Sequence, residues 1–160
     1  MKKAFTHDSA NNKTVDWYTP KSIFDAMGLQ FDLDPAAPVG GVPWIPAAKH
    51  YSIFDDGLSK PWHGRVWLNP PYGRDTKRWL QRMDAHRNGV ALVFARTDCA
   101  WFHDYCANAD AICFMRGRVK FVDGLGVTGE SGAGAGSMAI AWGEENVAGI
   151  RRLSGLTLTL

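Results

Sequence analysis

Cysteine is scarce in this sequence. Cys99, Cys106 and Cys113 make three, an odd number, and no two stand at CxxC spacing. That pattern argues against a disulfide framework or a zinc site and for buried thiols in a reducing compartment. No apolar run is long enough to cross a bilayer, so no membrane association is expected. The opening stretch MKKAFTHDSANNK has two lysines but no apolar segment behind them. It does not read as a secretory signal, and a cytoplasmic location is expected. The five histidines have no ligand spacing, so no metal is assigned. Net charge is only +2, which by itself says little about partners.

What is present is a globular composition. Hydrophobic residues make up 46% of 160 residues, enough for one domain with a real core. Residues 1–13 are polar and expected to be a loose tail, and 14–160 a single domain. Charge is segregated along the chain. Between Lys60 and Arg96 eight Lys/Arg face only Asp75 and Asp84, whereas between Asp25 and Asp56 five Asp face Lys49 alone. One segment suits an anion and the other a cation or a hydroxyl-rich ligand, although solvated surface charge gives the same pattern.

Hydrophobic periodicity divides the chain into alternating elements. WYTPKSIFDAMG predicts a helix with Thr19 as N-cap, Pro20 at the first helical position and Gly28 at the end. FDLD, Phe31 to Asp34, reads as a short strand cut off by Pro35. A Pro/Gly-rich stretch follows, with a short strand or helical turn around Lys49 to Ile53. RVWL predicts a strand, and Asp75 caps a helix running to about His86. VALVFA is a continuous apolar run, the signature of a strand buried on both faces. Thr97 or Asp98 starts a helix through Tyr105, and AICFM, RVKFV and SMAIAW read as strands. A last short helix is expected over Glu145 to Arg152. The alternation predicts an α/β fold with a mostly parallel sheet, and the two late strands without an intervening helix predict an antiparallel edge hairpin.

Polar groups fall at the expected strand ends: Asp34 after FDL, Asn69 after VWL, and Thr97-Asp98 after LVFA. In parallel α/β sheets ligands bind beyond the carboxyl ends of the strands. Asp34 there can accept hydroxyls of a nucleotide ribose, although Asp-Pro is also a common turn starter. NPPY, Asn69 to Tyr72, is more specific. Two prolines cannot extend a central strand, and a residue before proline is forced extended. Asn69 is therefore held in one pose at a strand tip. Its side-chain oxygen and the Pro70 carbonyl can accept both protons of one exocyclic NH₂ group. An amide is no general base; it acts by orientation and by stabilising positive charge on nitrogen. Tyr72 supplies a face for a stacked base, worth roughly 1–3 kcal/mol. An amine so held needs a methyl carried on a sulfonium as its electrophile.

SGAGAG, Ser131 to Gly136, precedes a strand instead of linking strand to helix, so it reads as a hairpin loop and not a phosphate cradle. Arg116, Arg118 and Lys120 have period two and would share one strand face. They would meet DNA phosphates or form a solvated edge that discourages strand pairing. Arg74, Lys77 and Arg78 follow NPPY and are better placed for a phosphate backbone.

The order WYTP, FDLDPAA, DDGLSKPW, NPPY and RGRVKF resembles the phage-type DNA N6-adenine methyltransferases, the compact Dam-like family, over Asp16 to Gly143. The resemblance implies a Rossmann-like sheet with an antiparallel seventh strand, S-adenosylmethionine as methyl donor, adenine in duplex DNA as acceptor, and a bacterial host cell. Asn69, Pro70, Pro71 and Tyr72 match the catalytic motif. Asp34, Pro35 and Ala36 fall in the family's cofactor-binding strand and turn, and Thr19 and Pro20 in the motif beside the methionine end. Asp55 or Asp56, with Asp56 preferred, matches the acid that meets the cofactor's adenine; Asn69 adjoins the cofactor as well. The glycines usual after the first strand are missing, and there is no separate target-recognition domain. Sequence preference would then come from loops. The same tip could also serve cytosine N4, an RNA base or a glutamine amide, and a DNA-binding protein of this fold without turnover is the alternative of another class. The oligomeric state is left open.

Overall fold

The computed structural model describes residues 17–129 and 133–160. The polar tail expected at 1–13 lies outside the described residues, as do Ser131 and Gly132 of the glycine cluster. The sheet has seven strands: β1 Phe31–Asp34, β2 Ala47–His50, β3 Val66–Leu68, β4 Gly89–Phe94, β5 Ala111–Met115, β6 Ser137–Trp142 and β7 Gly155–Thr159. Their spatial order is β2-β1-β3-β4-β6-β5-β7. The pairs β1·β2, β1·β3 and β3·β4 are parallel; β4·β6, β5·β6 and β5·β7 are antiparallel.

Four helices cover the sheet: α1 Lys21–Met27, α2 Thr76–His86, α3 Ala100–Asp104 and α4 Glu144–Ile150, with a 3₁₀ turn at Cys106–Asn108. Alternation along β4 shows how they do so. Val90 and Leu92 pack with Phe24, Met27 and Ile150 on one face, whereas Ala91 and Val93 pack with Leu80 and Met83 on the other. A strand buried at all six positions has to be apolar at all six, hence the unbroken run in its sequence. Cys106 and Cys113 are free and buried in these cores, and burial pushes the Cys106 thiol up to about 12. Among the described residues no helix is long and apolar enough to cross a membrane.

Several local expectations change. Pro20, not Thr19, is the residue before α1, while Gly28 closes that helix in the left-handed conformation at φ 64°. The Asp75 side chain does not cap α2 but pairs with Arg78 at 3.2 Å. α3 begins after Cys99, with neither Thr97 nor Asp98 as its cap. RVKFV forms no strand. Its Val122 makes isolated bridges to Tyr18 and Thr128, and the late strands that pair antiparallel without a helix between them are β5 and β6, inside the sheet and not at its edge. β6 is instead inserted between β4 and β5, buried at every position, and the sheet edge is β7, an alternating Leu-Thr segment beyond α4. Antiparallel pairing thus takes one half of the sheet, where a mostly parallel sheet with an antiparallel edge hairpin was expected.

Candidate active site

The chain runs from β1 outward to β2, then crosses back to β3 on the other side of β1. Connections leaving in opposite directions open a crevice at the carboxyl ends of β1 and β3. A cavity of about 890 Å³ lies there, with Asp34, Asn69 and Phe94 in its wall. All three stand at or just beyond the ends of parallel strands. Its volume is in the range of small-molecule sites.

The NPPY segment follows β3 as the residue types demand. Asn69 is half-buried and Pro70 buried, and both line the cavity with Pro71 and Tyr72. Neither the Asn69 side chain nor the Pro70 carbonyl has a hydrogen-bond partner among the described residues. The turn is fixed by Thr76, the first residue of α2 and buried. Its hydroxyl donates to the Pro71 carbonyl at 3.1 Å and accepts from the Gly73 N–H at 3.0 Å. Asp75, expected only as the cap of α2, plays no part in these bonds.

Tyr72 lies flat against Phe94, with ring centroids 4.4 Å apart and planes 12° from parallel. Its hydroxyl accepts from the Phe94 N–H at 2.9 Å. Burial of that hydroxyl raises its pKa, although the hydrogen bond and nearby Arg96 act the other way. The phenol is therefore neutral and anchored, while the residue as a whole stays 43% exposed. One ring face is used by Phe94, and the open surface adjoins the cavity.

The Asp34 carboxyl, buried at the end of β1, lines the same cavity. Desolvation raises its pKa to about 7, only partly offset by the 3.2 Å hydrogen bond from the Ala36 N–H. No ion pair to it exists among the described residues. Two buried polar atoms in residues of the cavity wall have no hydrogen-bond partner among the described residues: Thr19 Oγ1 and Trp67 Nε1. An unsatisfied buried donor or acceptor is costly and rare, so these two atoms beside a buried carboxyl with no cation need an explanation.

Thr19, Asp34, Pro35, Ala36, Asp56 and Asn69 all line the cavity. Pro20 and Asp55 do not. Pro20 borders a second hollow, and the exposed Asp55 turns back to Ser52, whose N–H and hydroxyl it accepts at 2.8 and 3.0 Å. Those bonds hold its carboxyl below the usual range. Asp56 is therefore the acid placed at the cavity. The next residue explains how its loop reaches β1. A Cβ on Gly57 would stand 1.9 Å from the Pro35 carbonyl oxygen, so only glycine permits this approach.

Of the cationic candidates, Arg78 lines the cavity rim. Lys77 pairs with Asp104 at 3.6 Å, and Arg74 is exposed beside the motif. Arg116, Arg118 and Lys120 gather elsewhere, around the second hollow of about 400 Å³. Sequence reading missed Trp67, Phe94, Thr76 and Gly57. Trp67 and Phe94 bracket known motifs and looked like plain strand residues; their placement depends on pairing distant in sequence. The Asp-Asp-Gly spelling was the one available signal for Gly57.

The WYTP segment joins this site through tertiary bonds. Tyr18 exchanges two backbone hydrogen bonds with Val122, at 2.7 and 2.9 Å, and the Thr19 carbonyl accepts from Trp44 Nε1 at 2.9 Å. Comparison with curated proteins and with solved structures finds no match. A family model does match, over residues 6–154, nearly the whole chain. Together with the NPPY tip and the cavity at the strand switch, that match shows that the chain belongs to the DNA N-6-adenine-methyltransferase (Dam) family.

Proposed function

We propose that this chain transfers a methyl group from S-adenosylmethionine to the N6 amine of adenine at preferred sites in DNA, with the target base turned out of the duplex into the cavity. The observation that carries this reading is the pair of unengaged acceptors at the end of β3, Asn69 and Pro70, on the wall of a cavity of about 890 Å³. An adenine inside a duplex is out of reach of any such wall, so the base has to leave the stack. The Asn69 oxygen and Pro70 carbonyl then accept hydrogen bonds from its two amine N–H groups, and one of those protons leaves to solvent once the methyl group has passed from sulfur to nitrogen. That geometry localises the nitrogen lone pair and stabilises the positive charge that develops on nitrogen. Tyr72, pinned by Phe94, offers its open surface to the flipped ring.

The methyl donor fits the rest of that wall. Among the described residues Thr19 Oγ1 and Trp67 Nε1 are buried without hydrogen-bond partners, and Asp34 is buried without a cation. Such a set suits a ligand rich in hydroxyl, amine and carboxylate groups. When bound, S-adenosylmethionine supplies an electrophilic methyl on a sulfonium. Asp34, Pro35 and Ala36 would hold it beside β1, Asp56 would accept from its adenine amine, and Thr19 would contact its other end. We read residues 14–160 as one Rossmann-like methyltransferase domain. The crossover at β1/β3 and the antiparallel β6 between β4 and β5 support that reading.

Asn69→Ala tests the mechanism. Incorporation of tritiated methyl into DNA should fall by about a thousandfold or more, since one preorganised charge-stabilising contact has that weight. Donor binding measured by calorimetry should change little. Undiminished incorporation in this variant would overturn the assignment. Digestion of the product to nucleosides should yield N6-methyladenine; N4-methylcytosine in its place would redirect the substrate.

A further inference from the structure

The second hollow and the hairpin beside it are not used by the chemistry above. Arg116, Arg118 and Lys120 are exposed and line that hollow with Pro20 and Thr128. None of the three has an ion pair among the described residues, and Arg118 donates only to the Ala133 carbonyl at 3.1 Å. The hollow shares a wall with the main cavity. Thr19 and Phe121 face the cavity, while their neighbours Pro20 and Lys120 face the hollow.

From this basic row the chain rises into a tight hairpin closed by the Val122–Thr128 bridge. Its tip is apolar. Leu125 is 88% exposed and Val127 59%. The tip is also stiff. The Asp123 carboxylate accepts from the Leu125 and Val127 N–H groups, both at 2.9 Å, and the Asp123 N–H donates to the Val127 carbonyl at 2.9 Å. Two large apolar side chains held up to water on a braced turn, beside a cationic row, match one kind of partner. It has phosphates for the cations and an apolar stack for the tip. Ile53 and Phe54 are comparably exposed, but Asp55 and Asp56 follow them directly, and phosphates would be repelled there.

We propose that the hairpin at 122–128 is a wedge that enters the duplex with Leu125 and Val127 as the target base leaves it, while Arg116, Arg118 and Lys120 hold adjacent phosphates. This rests on the DNA-adenine reading and adds how base extrusion is achieved. Filling the vacated space removes the drive of the base to restack. Extrusion then no longer has to be driven by the cavity alone.

The experiment compares wild type with Leu125→Ser and with Leu125→Ser/Val127→Ser on three DNAs of one sequence. These are matched duplex, duplex with an abasic site opposite the target adenine, and single strand. Extrusion costs energy in the first and little in the others. Methylation of matched duplex should fall about tenfold or more in the variants, and that of the other two less than about twofold. 2-Aminopurine at the target position should brighten on binding wild type and stay quenched with the double variant. Equal losses on all three DNAs, or no loss on matched duplex, would overturn the wedge while leaving the methyltransferase reading intact. A wild type that methylates none of the three would remove both. The positions are exposed, so misfolding is not expected to obscure the result.

Discussion

The two poles of the sheet treat polar groups in opposite ways. At the amino ends of β4 and β5 they satisfy one another. Arg87 donates to the Asp84 carboxylate at 3.2 Å, the Asn108 carbonyl at 2.6 Å and Asp110 at 3.0 Å. Asp110 also accepts the Gly143 N–H at 2.6 Å, and Asp84 accepts Trp142 Nε1 at 3.1 Å. Asn146 bonds the Trp142 carbonyl and Asn88, leaving only its own Oδ1 over. At the carboxyl ends, among the described residues, Asn69, Thr19 Oγ1 and Trp67 Nε1 have no hydrogen-bond partner and Asp34 has only the Ala36 N–H and no cation, around a void. A polar network that closes on itself ties strands together. One that stays open has bonding capacity held for a ligand.

If this contrast is sound, substitutions at the two poles should move stability in opposite directions. The largest effect is expected for Asp34→Asn. A carboxyl whose folded pKa is about 7 against 3.8 unfolded keeps its proton on folding. Its contribution is fully present below pH about 4 and is lost as pH rises to about 7. Asparagine keeps an acceptor for the Ala36 N–H without titrating. Thermal unfolding should therefore show the variant more stable at pH 8, by at most on the order of 4 kcal/mol, with the gain shrinking towards pH 4. The same change should weaken donor binding; a variant no more stable at pH 8 than wild type would show that Asp34 is matched after all.

At the opposite pole, Asp84→Ala should cost about 2–3 kcal/mol, because Trp142 Nε1 loses its acceptor and Arg87 one of its partners. Methylation per folded molecule should be unchanged, as followed by activity below the unfolding transition. Smallest is Tyr72→Phe. It removes the acceptor of the Phe94 N–H and keeps the ring, so denaturant unfolding should shift by about 1 kcal/mol. Turnover should then change only to the extent that the ring loses its fixed angle.

How much of this was legible depended on whether one segment carried the information. Val90 to Phe94 announce a central strand because burial on both faces demands an apolar residue at each position. Asn69-Pro70-Pro71 announces a strand tip because proline's missing N–H and fixed φ act locally. Family likeness then pointed to Asp34 and Asp56, and both line the cavity. What failed was set by partners far along the chain. Arg118 to Val122 alternate like a strand, yet among the described residues the segment's ladder pairing is limited to single bridges from Val122 to Tyr18 and Thr128. Leu156 and Leu158 alternate with threonine as a strand does, and their pairing with β5 has no local signature. Likewise Tyr72 and Phe94 stack across 22 positions, and nothing in either neighbourhood foretells it.

The link between Tyr18 and Val122 has a temporal consequence. One side of the cavity wall is made early and its backbone partner about a hundred residues later, so the two hydrogen bonds between Tyr18 and Val122 form only once that later segment has left the ribosome. A nascent chain stopped before Val122 has Asn69 and Asp34 already translated but lacks this tie. The last closure of the wall is thus a late event in synthesis.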